Sequence, residues 1–238
     1  MTLRNALRSL TFATAITTAV AAGAAALPAM ADASAGVPRA VPAVFIAPLS
    51  APVPRVASAT IGNDSLAGAA AGALDAWAAY SVTGNSATLA QYASIRDSIA
   101  AAAADRLGLD ASQLQHSWRT ADASHQLAML TAFTQLGVRY RAYKRQPGFG
   151  FDCSALTGWA WEQAGVNLPR TSRSQIRTVL PVAQASAQPG DIVWYPGHVM
   201  LYLGIGDAII HAPQTGRLIS LGTLPKHRRS LKFGNPLG

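Results

Sequence analysis

Residues 150–165 read GFDCSALTGWAWEQAG, and the architecture expected for the chain is organised around this segment. The apolar positions across 156–164 predict a buried helix, and Gly165 suits the C-terminal end of a helix. Asp152 is a residue type that caps helix N-termini, which places Cys153 in the first turn. There the helix dipole and the free backbone N–H groups favour a thiolate. The segment therefore predicts a cysteine presented at the start of a buried helix.

Cys153 is the single cysteine of the 238-residue chain, so it has no partner for an internal disulfide. Such a lone thiol is buried and inert, linked to another molecule, or a reactive nucleophile. A nucleophile needs a pKa below the ordinary value of about 8.5, and the N–H groups that favour the thiolate can also hold an oxyanion. Its position alone leaves the inert and the reactive interpretations open.

Two histidines flank a predicted β-hairpin in residues 197–213, which read GHVMLYLGIGDAIIHAP with a turn at 204–207. A two-residue loop places His198 directly opposite His211, and a longer loop shifts the pairing by one or two positions. With the cysteine, such a pair fits a thiol protease in which one imidazole takes the thiol proton and the second orients the first. A zinc site and a purely structural pair are the alternatives. The remaining histidines are interpreted as ordinary surface or core residues: His116, His125 and His227.

The N-terminus has the organisation of an export signal. Two arginines precede an uncharged run rich in alanine and threonine over 10–27, and Ala29-Met30-Ala31 provides a small-x-small cleavage site. We expect residues 1–31 to be a cleaved signal peptide, with an uncleaved anchor helix as the alternative. The chain is then secreted to the bacterial cell envelope, and it meets the membrane only transiently, through this signal.

Three further regions differ in composition. Residues 32–63 are rich in proline and alanine, and their regularly spaced prolines predict a linker because proline interrupts helices and strand ladders. Residues 64–136 are alanine-rich and lack proline, and their first part, 64–122, is predicted to be a helical region. Residues 137–238 differ in that they contain short alternating runs typical of strands. A cap, an inhibitory segment and a spacer are the open roles for the helical region. Helices are predicted at about 64–80, 86–107, 110–118 and 123–136.

The positive charge lies in the C-terminal part of the chain. Residues 137–238 contain 12 basic and 4 acidic residues, whereas residues 32–136 contain 5 basic and 7 acidic ones. This imbalance favours an anionic partner such as a cell-wall polymer, and a basic surface without a partner is the alternative. No nucleic-acid-binding motif accompanies the charge, so a nucleic-acid partner is not expected.

Five short motifs follow one another between residues 124 and 230. They are Phe151-Asp152-Cys153-Ser154, Leu168-Pro169-Arg170-Thr171-Ser172 with Gln175, Pro189-Gly190-Asp191, His198-Val199 and Ile210-His211-Ala212-Pro213. In content and order these motifs resemble the NlpC/p60 family of cell-wall peptidases. The preceding residues 135–140, QLGVRY, are similar to the lead-in helix and tyrosine of that family.

The resemblance implies a papain-like α+β fold, with a nucleophile helix packed on an antiparallel sheet and, in this chain, an alanine-rich α-helical region before it. It makes residues 123–238 the catalytic domain. Within that domain it implies a triad of Cys153 as nucleophile, His198 as general base and His211 as orienting residue. It implies no metal and no cofactor.

The same resemblance implies a substrate, since family members typically hydrolyse the bond from γ-D-glutamate to a diamino acid in peptidoglycan stem peptides. Tyr140 is similar to the family tyrosine that supports the oxyanion. Asp152 and Ser154 are similar to residues that hold the free amino end of the stem peptide, and Arg170 and Ser172 to residues that shape the rim. A non-catalytic peptidoglycan-binding module on the same fold and a related cysteine amidase are the alternative functions.

Overall fold

Four helices open the described part of the chain. The computed structural model describes residues 60–226 and 230–238, so the predicted signal peptide, most of the predicted linker and His227 lie outside the described residues. Side chains of Asp64, Asn85 and Asp110 cap the first three helices by accepting hydrogen bonds from backbone N–H groups. The helices are α1 (Ser65–Thr83), α2 (Ser86–Leu107), α3 (Ala111–Thr120) and α4 (Ala123–Phe133).

A six-stranded antiparallel sheet follows, with its strands in the spatial order β3-β8-β4-β5-β6-β7. A separate two-stranded ribbon, β1 (Arg145–Gln146) and β2 (Gly150–Phe151), precedes helix α5 (Cys153–Gln163), and helix α6 (Ser172–Thr178) comes before the sheet. The strands of the sheet are β3 (Leu180–Val182), β4 (Ile192–Tyr195), β5 (His198–Tyr202), β6 (Ala208–His211), β7 (Ser220–Thr223) and β8 (Lys232–Asn235).

Both faces of this sheet bury apolar side chains, in the two-residue alternation expected of strands. Along β5, Val199 and Leu201 join the main core that the helices build, whereas Met200 and Tyr202 join a smaller cluster on the opposite face. The sheet therefore packs one face on the helical layer, and its opposite face carries the smaller apolar cluster, which includes Phe233 of β8.

The hairpin of β5 and β6 differs in register from the simplest prediction. Leu201 pairs with Ile210 and Tyr202 with Ile209, because the connecting loop is longer than two residues. This pairing offsets His198 and His211 by two positions instead of placing them directly opposite each other. The shift stays within the range expected for a longer loop.

The helical region and the sheet share one apolar core. Trp118 of α3 is fully buried, stacks edge-on against Phe133 of α4 and donates a hydrogen bond from Nε1 to the carbonyl of Leu203 (2.8 Å). Ser117 donates to the carbonyl of Gly204, and a Cβ at that glycine, whose φ is +99°, would lie 2.2 Å from the Ser117 hydroxyl. Helix α3 therefore supports the loop between β5 and β6.

Buried polar contacts fix α4 and α5 to the start of β4. His125 on α4 is fully buried, as an ordinary core residue, and its Nε2 lies 2.9 Å from a carboxylate oxygen of Asp191. Trp161 on α5 donates from Nε1 to the carbonyl of Gly190 (3.0 Å). These contacts hold the cysteine-bearing helix on the antiparallel sheet, so the predicted α+β fold with a preceding helical region is confirmed. No helix in residues 60–226 or 230–238 combines the length and apolar character needed to cross a membrane.

Candidate active site

Cys153 is the first residue of α5, as its sequence predicts. The Asp152 side chain caps the helix by accepting a hydrogen bond from the backbone N–H of Ala155 (2.8 Å). The thiol is half-buried, and the backbone N–H groups of Val199, Ser154 and Cys153 itself are directed at the sulfur. Val199 directly follows His198 at the start of β5. The fold therefore brings the thiol to the strand end that carries the first histidine.

Burial raises the pKa of the Cys153 thiol above its ordinary value, the N–H of Val199 opposes this effect, and the nearby Asp152 carboxylate adds to it. The sequence argument from the helix start alone favours a lower pKa. The structure differs because the thiol sits between α5 and β5, where it loses water. A thiol in this setting needs a base at the moment of attack.

His198 and His211 lie side by side, with 3.0 Å between His198 Nε2 and His211 Nδ1. Their rings meet edge to face at a centroid distance of 5.3 Å, and the ring of Tyr195 packs on the other side of His198. A hydrogen bond between two imidazoles needs one nitrogen to donate and the other to accept. The contact therefore couples the tautomers of the two rings.

Burial lowers the pKa of His211 to about 4. The ring is then neutral near pH 7, so its Nδ1 can accept a hydrogen bond from the Nε2–H of His198. That arrangement leaves Nδ1 of His198 as the nitrogen able to take up another proton. The structure thus brings together the two residues that are predicted to act as base and as orienting residue.

Three of the predicted substrate-binding residues form a hydrogen-bonded cluster beside the thiol. Arg170 donates two hydrogen bonds to the Asp152 carboxylate (2.5 and 3.2 Å) and one to the Ser154 hydroxyl (3.0 Å), which itself donates to Asp152 (3.1 Å). Asp152 is buried, so this ion pair is shielded from water on one side. Ser172 begins α6 and takes no part in these contacts.

Buried side chains hold this cluster in place. Gln175 of α6 accepts a hydrogen bond from Thr157 of α5 (2.7 Å) and donates to the carbonyls of Ser154 (2.8 Å) and Pro169 (3.0 Å). Gln175 is fully buried. It therefore fixes the segment that carries Arg170 to the first turn of α5.

Tyr140 lies near the thiol, in a bridge to Phe151 just before α5. Partial burial raises the pKa of its hydroxyl, and the negative charges of Cys153 and Asp152 add to this effect. The phenol is therefore a proton donor at neutral pH, near enough to sense the charge of the thiolate. The backbone N–H of Tyr140 donates to the carbonyl of Arg217 (2.9 Å).

An open cleft of about 580 Å³ lies on the side of the two histidines. Within the described chain, its lining comes from β4, β5, the end of β6, the segment between β6 and β7, and the start of β7. Among the described lining residues, Arg217 has the one side chain with a permanent charge. Arg217 was not among the residues predicted to form the site, because only the folded path of this segment brings it to the histidines. The lining residues are Tyr195, His198, His211, Pro213, Gln214, Gly216, Arg217, Leu218 and Ser220.

The metal alternative raised by two histidines and a cysteine needs three converging ligands. Over residues 60–226 and 230–238, no group of three or more His, Cys, Asp and Glu side chains is arranged to hold a metal ion.

Comparison with protein families matches residues 137–228 to the model described as NlpC/P60 family. A protein of Corynebacterium glutamicum named probable endopeptidase is 37% identical over 125 residues, which are 50% of this chain and 58% of that protein. The γ-D-glutamyl-L-lysine dipeptidyl-peptidase of Bacillus cereus is 33% identical over 94 residues, or 36% of this chain and 28% of that protein. The alignments thus span from about a quarter to somewhat over half of these relatives' length.

Among solved structures, RipD of Mycobacterium tuberculosis matches 48% of this chain and 98% of its own, with 22% identity and a TM-score of 0.42. RipD is described as a non-catalytic NlpC/p60 domain protein, adapted to a peptidoglycan-binding function.

Proposed function

We propose, from the premise that residues 137–228 form an NlpC/P60 domain, that the chain is a cysteine endopeptidase of peptidoglycan stem peptides. One observation carries the proposal. The backbone N–H of Val199, the residue after His198, is directed at the thiol of Cys153. His198 Nε2 lies 3.0 Å from Nδ1 of His211, whose ring is neutral near pH 7. These contacts support Cys153 as the nucleophile, His198 as the base and His211 as the residue that orients the base.

In the acylation step, the Cys153 thiol gives its proton to Nδ1 of His198 as the sulfur attacks the scissile carbonyl carbon. The Nε2–H of the His198 imidazolium continues to donate a hydrogen bond to Nδ1 of His211, which fixes the plane of the His198 ring. Negative charge develops on the carbonyl oxygen, and the N–H groups at the start of α5 together with the Tyr140 hydroxyl hold it. The intermediate collapses when His198 returns the proton to the departing amine.

Water then hydrolyses the remaining thioester, with His198 acting again as base and then as acid. His198 takes a proton from the water as its oxygen attacks the thioester carbonyl, and the proton then passes to the leaving sulfur. Burial disfavours the thiolate of Cys153. Proton transfer to His198 therefore accompanies the attack of the sulfur and does not precede it. The resting enzyme therefore needs no permanent ion pair.

The proposed bond is that between γ-D-glutamate and a diamino acid. The name of the Bacillus cereus relative states a γ-D-glutamyl-L-lysine specificity, which supports this choice. The Asp152 carboxylate, with Ser154 beside it, offers acceptors for the free amino end of the stem peptide, while Arg170 and Ser172 form the rim. Because Arg170 already neutralises Asp152, the amino end binds to the oxygen lone pairs that remain.

The proposed place of action is the cell envelope, after export through residues 1–31. The 12 basic residues in 137–238 suit an anionic wall, where electrostatic attraction keeps the enzyme near its substrate.

Purified chain 32–238 and its Cys153→Ala variant, incubated with defined muropeptides, provide the test, with products identified by mass spectrometry. We expect cleavage between D-glutamate and the diamino acid by the parent chain and none by the variant. Thermal unfolding of both proteins serves as the control, since alanine at a half-buried position leaves the fold intact.

Two outcomes contradict the proposal in different ways. Absence of cleavage with undiminished binding to isolated sacculi would identify a peptidoglycan-binding module. Cleavage between the sugar-linked lactyl group and L-alanine would identify a cysteine amidase instead.

A further inference from the structure

Arg217 occupies a fixed place in the cleft. Its backbone N–H donates to the carbonyl of Gln214 (3.1 Å), and its own carbonyl accepts from Tyr140 (2.9 Å). The neighbouring residue Leu218 bridges to Arg139, so the segment between β6 and β7 is tied to the segment that carries Tyr140. The backbone of Arg217 is therefore held on both sides, in the wall that also contains His198 and His211.

The side chain of Arg217 is exposed and, among residues 60–226 and 230–238, forms no hydrogen bond or ion pair. Other arginines around the site are engaged: Arg170 pairs with Asp152, Arg145 with Glu162, and Arg141 stacks on Phe149. An arginine presents a planar set of donors that matches a carboxylate. The cleft thus offers one unused guanidinium to whatever enters it.

The chemistry of the reaction indicates which half of the substrate lies next to Arg217. His198 must return its proton to the departing amine, so the leaving residue lies on the histidine side of the scissile bond. The Asp152 cluster lies at the start of α5, where the acyl half with its amino end is expected. Arg217 therefore faces the half that leaves.

We propose that Arg217 selects substrates by binding a carboxylate on the diamino acid that leaves. This inference rests on the proposed peptidase function and adds a specificity residue to it. The carboxylate has two sources: the main-chain carboxylate when the diamino acid is C-terminal, or a side-chain carboxylate such as that of diaminopimelate. Either carboxylate would bind the guanidinium of Arg217. The backbone of this residue is already held by hydrogen bonds, which lowers the entropic cost of binding.

Three tripeptides of L-alanine, γ-linked D-glutamate and a diamino acid distinguish these sources. The first ends in lysine amide and has no carboxylate on the leaving residue. The second ends in free lysine and has the main-chain carboxylate, and the third ends in diaminopimelate with its main-chain carboxyl amidated and has the side-chain carboxylate. We expect chain 32–238 to cleave at least one carboxylate peptide with a kcat/KM about tenfold above that of the lysine amide, the effect of one charge-assisted hydrogen bond.

The Arg217→Gln variant should lose this advantage, so that its kcat/KM for the carboxylate peptides falls to its value for the lysine amide, and thermal unfolding beside the parent chain checks that it is folded. Arg217→Lys should retain part of the advantage. Arg177→Gln, which removes the same charge from an exposed position on α6 at a different groove, should retain all of it.

Equal cleavage of the three peptides by the parent chain overturns the inference and leaves the peptidase standing. So does an Arg217→Gln variant that keeps the preference or loses activity equally on all three, since the D-glutamate carboxylate is common to them. Failure of the parent chain to cleave any peptide overturns the proposed function and this inference with it.

Discussion

At the scale of single residues, His211 makes the site sensitive to acid. Its pKa is about 4 in the folded chain, against an ordinary value of 6.5, because the ring is buried. Between these values the unfolded chain binds a proton that the folded chain does not. The free energy of unfolding therefore falls as the pH falls from about 6.5 toward 4, and His211 adds no pH dependence above that window.

The variant His211→Asn tests this expectation, since its side-chain oxygen can still accept from His198. Chemical denaturation of both proteins from pH 4 to 7.5 should show a smaller loss of stability in the variant below pH 6.5. We also expect the variant to keep measurable peptidase activity, with kcat reduced. Parallel pH dependence of the two unfolding free energies would contradict the assigned pKa.

The residues that sequence predicts best at this scale are those whose chemistry is local. Cys153 and its cap Asp152 stand next to each other, so the start of α5 follows from adjacent residue types. The Val199 N–H at the sulfur and the position of Arg217 depend on the approach of distant segments. No local pattern contains that information.

At the scale of elements, Asp152 at the N-terminus of α5 has three roles. Its carboxylate caps the helix through the Ala155 N–H and pairs with Arg170, and it is the proposed acceptor for the substrate's amino end. Asp152→Asn keeps a capping oxygen but removes the charge, whereas Asp152→Ala removes both. We expect the alanine variant to lose about 1 kcal/mol of stability through the missing cap alone, and more through the unpaired Arg170.

Kinetics separate the substrate role from the cap. Asp152→Asn should raise KM about tenfold for a stem peptide with a free amino end. An N-acetylated version of the same peptide, cleaved less well by the parent chain, should show no comparable change. An equal rise for both peptides would place the effect in the architecture of the α5 terminus rather than in recognition of the amino group.

The elements that the sequence predicts correctly are those with strong periodicity or clear caps. Helix α2 spans the expected residues 86–107, and β5 and β6 lie on either side of the turn at 204–207 in the predicted hairpin. The fourth predicted helix ends at Phe133 instead of residue 136, because tight turns with N–H groups bonded three residues back replace its last turn. Strands β3, β7 and β8 were not predicted.

These strands are short and partly exposed, and β3 contains Pro181, so neither alternation nor propensity marks them. β3 exists because it pairs with β8, more than fifty residues later in the chain. Such pairing is a property of the closed sheet and not of either segment.

At the scale of the whole molecule, the helical region and the predicted catalytic domain bury each other. Leu114 and Trp118 of α3 are fully buried, and buried hydrogen bonds join Tyr92 and Arg96 of α2 to Gln126 of α4. Residues that line the cleft come from 195–220, so in the described chain the helical region does not cover them. We infer that this region supports the fold, in preference to the roles of inhibitor or spacer.

A chain that begins at residue 123 should consequently be much less stable than chain 60–238. Loss of Trp118 alone would leave Phe133 and the Leu203 carbonyl exposed, and removal of a buried tryptophan costs about 3–5 kcal/mol. Because a typical domain has only about 5–15 kcal/mol of stability in total, we expect the shorter chain to unfold at much lower denaturant concentration. Trp118→Ala in chain 60–238 should lie between the two.

Peptidase assays on the same three proteins decide between support and inhibition. If the helical region supports the fold, activity should fall in the order of stability, and the shorter chain should regain little of it at any substrate concentration. If the region inhibits, the chain from residue 123 should fold cooperatively and cleave faster than chain 60–238. A spacer predicts equal stability and equal rates, because a spacer shares no core with the domain it carries, whereas here Trp118 and Phe133 lie in one core.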